Sequence, residues 1–254
     1  MSDGAGEGAR ARLEALAPEE LRARLSGPPE EVAALIREAA EAGVAEAQAR
    51  LGQLLLDGRG IAKDEAAALR WFVRAALAGH VEAINMVGRC FDLGWGTPID
   101  KRQAAQWFKA AADRGLDWGM YNYATALALG EGVAEDRVAA LTLFRKAAAM
   151  GNAKAINHVG SFHEDGWVVQ RDMAEAARCY RLAAKGGDFR GMFNHARMLI
   201  DAGAVEEACA WIARAGAAGN ARFRAQVAAL LSGSPHADVR AAGAALASAE
   251  IDSH

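Results

Sequence analysis

One feature of this sequence constrains its fold more than any other: glycines recur at intervals of 36 residues. The main column consists of Gly43, Gly79, Gly115, Gly151 and Gly187. An alanine pair precedes each of these glycines, and two further glycine columns and an aspartate column keep the same step. A fixed period of this length is the signature of an array of supersecondary units, in which each unit packs on its neighbours. The period therefore decides the architecture before any single motif does.

Each period reads as two amphipathic helices joined by a turn. In the first unit, helix A follows Gly43 and ends at Gly58, a residue suited to the left-handed conformation that ends many helices. Asp64 then offers a side-chain oxygen to the free amides of the next turn, which opens helix B, and Gly79 ends that helix. A high alanine content favours close-packed helices over sheets. The sequence predicts an all-α solenoid of about five helix–turn–helix units of 36 residues, with helical caps.

Two columns predict how the helices pack on each other. Large side chains recur in helix B, at Trp71-Phe72 and Trp107-Phe108, and should fill the space between adjacent units. A glycine stands inside helix A at Gly52, Gly88 and Gly160. A glycine within a helix costs roughly 1 kcal/mol relative to alanine. Its recurrence therefore predicts close contact between helix A and helix B.

The two ends of the chain depart from the repeat. Residues 30–42 resemble a lone helix B and residues 221–231 a lone helix A, as the caps of an array require. We expect residues 1 to about 12 and the last four residues to be disordered. The predicted organisation is an N-terminal, partly disordered segment over 1–29, a solenoid with its N-terminal cap helix over 30–219, and a C-terminal helical cap and tail over 220–254.

Charge and hydropathy exclude two classes of partner. The net charge is −3, and basic and acidic residues are interspersed, so there is no basic stripe to neutralise a nucleic acid backbone. No apolar run approaches the ~20 residues that a membrane span needs, and the N-terminus lacks the apolar stretch of a secretory signal. We therefore expect no nucleic acid partner, no membrane span and a cytoplasmic location.

Residues that could carry chemistry do not form a convincing site. Ser161 and His163 lie ~200° apart around their helix, so a base and a nucleophile cannot meet there, and we predict no catalytic residues. His158 and His163 are five residues apart, about 140° around the helix, which disfavours a metal site. The three cysteines share no close spacing and fall at apolar helix positions, so we expect small buried side chains. No cofactor is predicted.

The combined pattern A-x-A-x-x-x-L-G, G-x-G, Asp and A-x-x-W-[FY]-x-x-A-A-x-x-G resembles the Sel-one-like repeat (SLR), a relative of the tetratricopeptide repeat. The resemblance covers about residues 43–219. It implies a right-handed superhelix whose A helices line a concave surface, and a role as adaptor or scaffold for protein complexes, especially in bacterial signalling and envelope-related assemblies. One secreted branch carries paired cysteines and is linked to β-lactam binding. This chain has neither the pairs nor a signal sequence, so the resemblance does not extend to that activity.

The resemblance to the tetratricopeptide unit also places a groove. Its concave face would present the second, fifth, sixth and ninth positions of helix A, counted from Ala45. These columns vary between units and are rich in asparagine, arginine and aromatic residues, which suit the capture of a peptide. The predicted groove residues are Asn85, Arg89, Trp118, Tyr121, Asn122, Asn157, His158, Asn194 and Arg197. Ordinary solvated helix positions would vary in the same way, so that interpretation stays open.

The sequence favours a non-catalytic scaffold that binds a protein segment in this groove. The alternative is a hydrolase, or a protein that binds an amide-type small molecule, whose functional residues converge between neighbouring repeats. A third possibility is weak self-association through the ends of the array.

Overall fold

The computed structural model describes residues 17–248, and over that range it contains fourteen α-helices and no strand. The two segments expected to be disordered, 1 to about 12 and 251–254, lie outside the described residues. The chain divides into two compact units, residues 1–135 and residues 136–254. No helix between residues 17 and 248 is both long enough and apolar enough to cross a bilayer.

The first unit contains seven helices, each packed on the next along the chain. They are α1 (Pro18–Leu25), α2 (Pro29–Glu41), α3 (Ala45–Asp57), α4 (Glu65–Leu77), α5 (Val81–Leu93), α6 (Lys101–Asp113) and α7 (Asp117–Leu129). Helix α2 is the predicted cap. Helices α3, α5 and α7 are A helices, and α4 and α6 are B helices.

The second unit also contains seven helices. They are α8 (Arg137–Ala149), α9 (Ala153–Asp165), α10 (Met173–Lys185), α11 (Phe189–Asp201), α12 (Val205–Ala218), α13 (Ala221–Leu231) and α14 (Ala237–Ser248). Consecutive helices pack on each other from α8 to α12, with α9 and α11 as A helices. Helix α13 is the predicted lone helix A. The sequence did not distinguish α14, which packs against both α12 and α13.

The helix ends are where the repeating columns predicted them. Each aspartate of the predicted column caps a B helix, its carboxylate accepting a hydrogen bond from the backbone amide three residues later; these caps are Asp64, Asp100, Asp136 and Asp172. Left-handed glycines end four A helices, at Gly58, Gly94, Gly130 and Gly166. The prediction of an all-α helical repeat fold is confirmed.

The glycines inside the A helices permit close packing, as predicted. A Cβ atom at Gly88 would lie 2.6 Å from the ring of Phe108, and the same conflict recurs between Gly52 and Phe72. The two members of each predicted aromatic pair pack against the core, but they are buried to different degrees. Phe72 and Phe108 are buried, whereas Trp107 is only half-buried. Successive helix residues lie ~100° apart, so only one member of each pair can face the A helix.

The second glycine of each G-x-G turn makes a contact that the sequence did not reveal. Gly60, Gly96 and Gly132 have positive φ, and a Cβ atom at Gly96 would lie 2.3 Å from the backbone oxygen of Glu65. The turn of one repeat therefore rests against the start of the preceding B helix. In the next repeat along the chain, Val168 takes the place of this glycine and has a φ of 53°.

Candidate functional site

In the first unit, an asparagine pair joins two neighbouring A helices. Asn85 lies on α5 and is buried, and Asn122 on α7 donates a hydrogen bond from Nδ2 to the Asn85 Oδ1 atom at 2.8 Å. Neither residue has a side-chain atom that is both buried and without a partner. Asn122 is half-buried, so this member of the pair reaches the surface, and its side-chain oxygen is not used within the pair.

The second unit contains the same pair. Asn194 on α11 donates from Nδ2 to the Oδ1 atom of Asn157 on α9 at 2.9 Å, and Asn157 is buried. Asn85 and Asn157 are therefore buried and bonded to the neighbouring A helix, unlike ordinary solvated helix positions. The signal was present in the sequence, because each of these asparagines is followed by another asparagine 37 residues later.

Two aromatic residues lie on α7 beside the first pair. Trp118 is 44% exposed, and its ring meets that of Tyr121 edge to face, with 5.9 Å between the ring centroids. Tyr121 is half-buried. An exposed tryptophan held by a neighbouring aromatic ring offers flat apolar contact with little loss of side-chain entropy.

Arg89 on α5 is a half-buried cation in apolar surroundings. Its guanidinium lies 4.8 Å from the centroid of the Trp95 ring, and Nη1 lies 3.7 Å from the sulfur of Met86. Burial lowers the pKa of Arg89 from its ordinary value. Among residues 17–248, Arg89 forms no ion pair.

Arg197 on α11 has a very different environment. It donates to the carboxylate of Glu164 at 2.7 Å and to the side-chain oxygen of Asn194 at 3.2 Å. Tyr180 donates its hydroxyl proton to the other carboxylate oxygen of Glu164. Burial acts to raise the pKa of Glu164, but the hydrogen bonds from Tyr180 and Arg197 outweigh it, and the pKa lies below its ordinary value. The charge of Arg197 is therefore neutralised within the protein.

His158 on α9 is half-buried and packs face to face on the ring of Phe144, with 4.7 Å between the ring centroids. Burial lowers its pKa to about 4, and the nearby charges of Arg190 and Lys154 act in the same direction. The imidazole is therefore neutral at pH 7, and the histidine serves as a flat packing surface rather than as a positive charge.

The catalytic and metal-binding candidates lie in different surroundings. The Ser161 hydroxyl lies 3.3 Å from that of Tyr180 and donates to the backbone oxygen of Asn157. His163 instead lines a cavity of about 490 Å³, together with Cys179. Over residues 17–248, no group of three or more His, Cys, Asp or Glu side chains is arranged to hold a metal ion.

Two of the three cysteines are buried, as the sequence predicted. Cys90 and Cys179 are buried, and Cys209 is half-buried. Burial raises the pKa of the Cys90 and Cys179 thiols to about 11, so both are protonated at neutral pH.

The model of the Sel1 repeat matches four consecutive stretches of the chain, residues 45–80, 81–116, 119–152 and 153–188, which together make up more than half of it. The chain belongs to the Sel1 repeat family. This confirms the resemblance found in the sequence. Sel1 repeats generally serve as scaffolds for protein interactions.

Solved structures show the same fold. A protective antigen of uropathogenic Escherichia coli that displays an SLR fold is 27% identical, with a TM-score of 0.70, over 97% of this chain and 56% of that one. This chain thus spans little more than half the length of that structure. A Sel1 repeat protein from Oxalobacter formigenes is 22% identical over 87% of this chain and 94% of that chain, with a TM-score of 0.72.

An immunity protein from Pseudomonas aeruginosa is 16% identical over 81% of each chain, with a TM-score of 0.54. At that identity, and at the 22% of the Oxalobacter protein, the likeness shows the fold alone. A comparison with curated proteins gave no match.

Proposed function

We propose that this chain is a non-catalytic scaffold that binds an extended segment of a partner protein on the face formed by its A helices. The observation that carries the proposal is the asparagine pair between neighbouring A helices, whose half-buried member Asn122 does not use its side-chain oxygen within the pair. An amide can both donate to and accept from a peptide backbone. The residues proposed to line this face are Asn85, Arg89, Trp118, Tyr121 and Asn122 in the first unit, and Asn157, His158, Asn194 and Arg197 in the second.

The aromatic pair on α7 supports the same assignment. Trp118 exposes a large apolar surface next to Tyr121, and binding energy at protein interfaces concentrates on residues of these types. Trp118 and Asn122 are four residues apart on one helix and so lie on the same face. An apolar anchor next to a backbone-binding amide is what the capture of a peptide requires.

The hydrolase alternative gains no comparable support. Ser161 is hydrogen-bonded to backbone and lies next to Tyr180, and His163 faces a separate cavity. We also propose the division predicted from sequence, with a segment over 1–29, a solenoid over 30–219 and a cap and tail over 220–254. A cytoplasmic location and weak self-association through the ends stay predictions.

Affinity capture from native lysate tests the proposed face, provided that the substitutions leave the fold intact. Alanine at Asn85 or Asn157 is unsuitable, because it would leave the donor of Asn122 or Asn194 without its partner in a largely buried site. The better variant combines Trp118→Ala with Tyr121→Ala. A matched control combines Arg102→Ala with Gln106→Ala, two exposed residues of the B helix α6.

We expect proteins that the wild type and the control retain to be lost from the aromatic variant, with at least a tenfold loss in affinity. Circular dichroism should show that both variants remain folded. Equal capture by the aromatic variant and the wild type would contradict the proposed face. Loss of the partner from the control variant alone would move the binding site to the B helices.

A further inference from the structure

Arg89 and Arg197 occupy the same position of the repeat, the ninth of helix A, three periods apart. They serve as an internal comparison, because their neighbours along the chain can be matched one by one. Arg197 binds Asn194, three residues before it, and Glu164, thirty-three residues before it. The residues at the same offsets from Arg89 are Met86 and Leu56.

Both polar partners of Arg197 are therefore replaced by apolar residues at Arg89. Met86 offers only a weakly accepting sulfur atom, 3.7 Å from Nη1. Leu56 is half-buried on α3 and has no acceptor. Asp92, which acts electrostatically on Arg89, has its carboxylate 2.7 Å from the Nζ atom of Lys101.

Arg89 thus holds a positive charge that is partly removed from water and has no carboxylate partner within residues 17–248. A buried charge without a partner is costly, and a guanidinium satisfies that demand best with a bidentate carboxylate. The guanidinium carbon lies over the Trp95 ring, 4.8 Å from its centroid, which is a cation–π distance. Arg89 is only half-buried, so its side chain is not closed off from the surface.

We infer that Arg89 binds the side-chain carboxylate of an aspartate or glutamate in the bound segment. Asn85 lies four residues before Arg89 on α5, on the same helix face, so the asparagine pair can bond a peptide group next to that acidic residue. This inference rests on the proposed function and specifies the chemistry of its ligand. An acidic peptide segment, rather than a basic or neutral one, is the expected partner of the first unit.

A titration with a small probe tests this inference without knowledge of the partner. The probe is N-acetyl-glutamate methylamide, and its glutamine analogue is the neutral control. In the full-length protein, NMR would follow the Arg89 Nε–H and Trp95 indole signals. We expect saturable shifts with the glutamate probe, with a dissociation constant on the order of millimolar, and at least tenfold weaker binding of the glutamine analogue.

The repeat comparison supplies a matched pair of variants. Leu56→Glu should introduce the carboxylate that Glu164 provides to Arg197, and it should weaken probe binding at least tenfold although Arg89 itself is unchanged. A glutamine at position 56 has nearly the same shape as a glutamate but no charge. The Leu56→Gln variant should therefore bind the probe as tightly as the wild type does. The signal of Arg197 is the internal reference and should not move.

Shifts at Arg89 no larger than those of the exposed Arg102, or of Arg197, would overturn the inference, because they would report only general charge attraction. Undiminished binding by folded Leu56→Glu would also overturn it. These outcomes are separable from failure of the proposed function. If Arg89 does not bind the probe but the Trp118→Ala/Tyr121→Ala variant still loses its partner, the acidic ligand is wrong and the binding face stands.

Discussion

At the scale of single residues, the constraints of the repeat are clearest at a position where one repeat lacks the glycine that the others have. Val168 has a φ of 53° at the position where three other repeats have glycine. The left-handed region is unfavourable for a β-branched residue by about 1–2 kcal/mol. The repeat therefore forces Val168 into a conformation that its side chain opposes.

We expect Val168→Gly to stabilise the protein by about 0.5–1 kcal/mol, because the relief of strain exceeds the entropy gained by the unfolded chain. Val168 is exposed, so little buried contact is lost. Urea unfolding followed by circular dichroism would measure the change. Val169→Gly is the control and should destabilise, since Val169 is half-buried and its φ is not positive. A Val168→Gly variant no more stable than the wild type would show that this turn is unstrained.

At the scale of helices, a glycine of helix A lies in close contact with helix B of the same repeat. The Cβ atom of an alanine at position 88 would lie 2.6 Å from the Phe108 ring, although alanine has the better helix propensity. We expect Gly88→Ala to destabilise the protein by about 1–3 kcal/mol, because the overlap forces Phe108 or the helices to move. Thermal and urea unfolding would measure this loss.

A second substitution identifies the cause of that loss. Phe108→Leu should create space next to position 88, so the double variant should lose less stability than the two single variants together. Additive losses would mean that the glycine is required for a reason other than contact with Phe108.

The helices could be predicted because the same local signals recur in every repeat. Asp64 and its equivalents cap the B helices, and Gly58 and its equivalents end the A helices, and these are interactions of neighbouring residues. Contacts between helices were harder to predict. The buried side of Trp107-Phe108 depends on how two helices cross, and the role of Gly96 depends on the backbone of the preceding repeat.

At the scale of the molecule, the sequence predicted which columns vary but not how their side chains pair. Asn85 and Asn122 were recognised as candidates, yet their hydrogen bond depends on the spacing of two A helices. Arg89 and Arg197 look equivalent in the sequence. Only the structure shows that Glu164 neutralises Arg197, whereas Arg89 forms no ion pair among residues 17–248. Whether each arginine is neutralised therefore depends on residues far from it in the sequence.

At the scale of the molecule, every group whose pKa changes on folding makes the free energy of unfolding depend on pH. We expect His158 to make a large contribution. Its pKa is about 4 in the folded protein and about 6.5 when unfolded. Between these values the unfolded chain binds a proton that the folded chain does not, so the contribution is full above pH 6.5 and is lost as the pH falls to about 4.

Discounted for the partial exposure of the ring, we expect this loss to be about 1–3 kcal/mol. His158→Phe keeps an aromatic ring on Phe144 but cannot bind a proton. Urea unfolding of both proteins at several pH values would therefore isolate the histidine, because the other titrating groups are common to both. The free energy of unfolding of the wild type should decrease relative to that of His158→Phe as the pH falls from 6.5 to 4. Parallel curves would mean that His158 is as accessible to protons in the folded protein as in the unfolded chain.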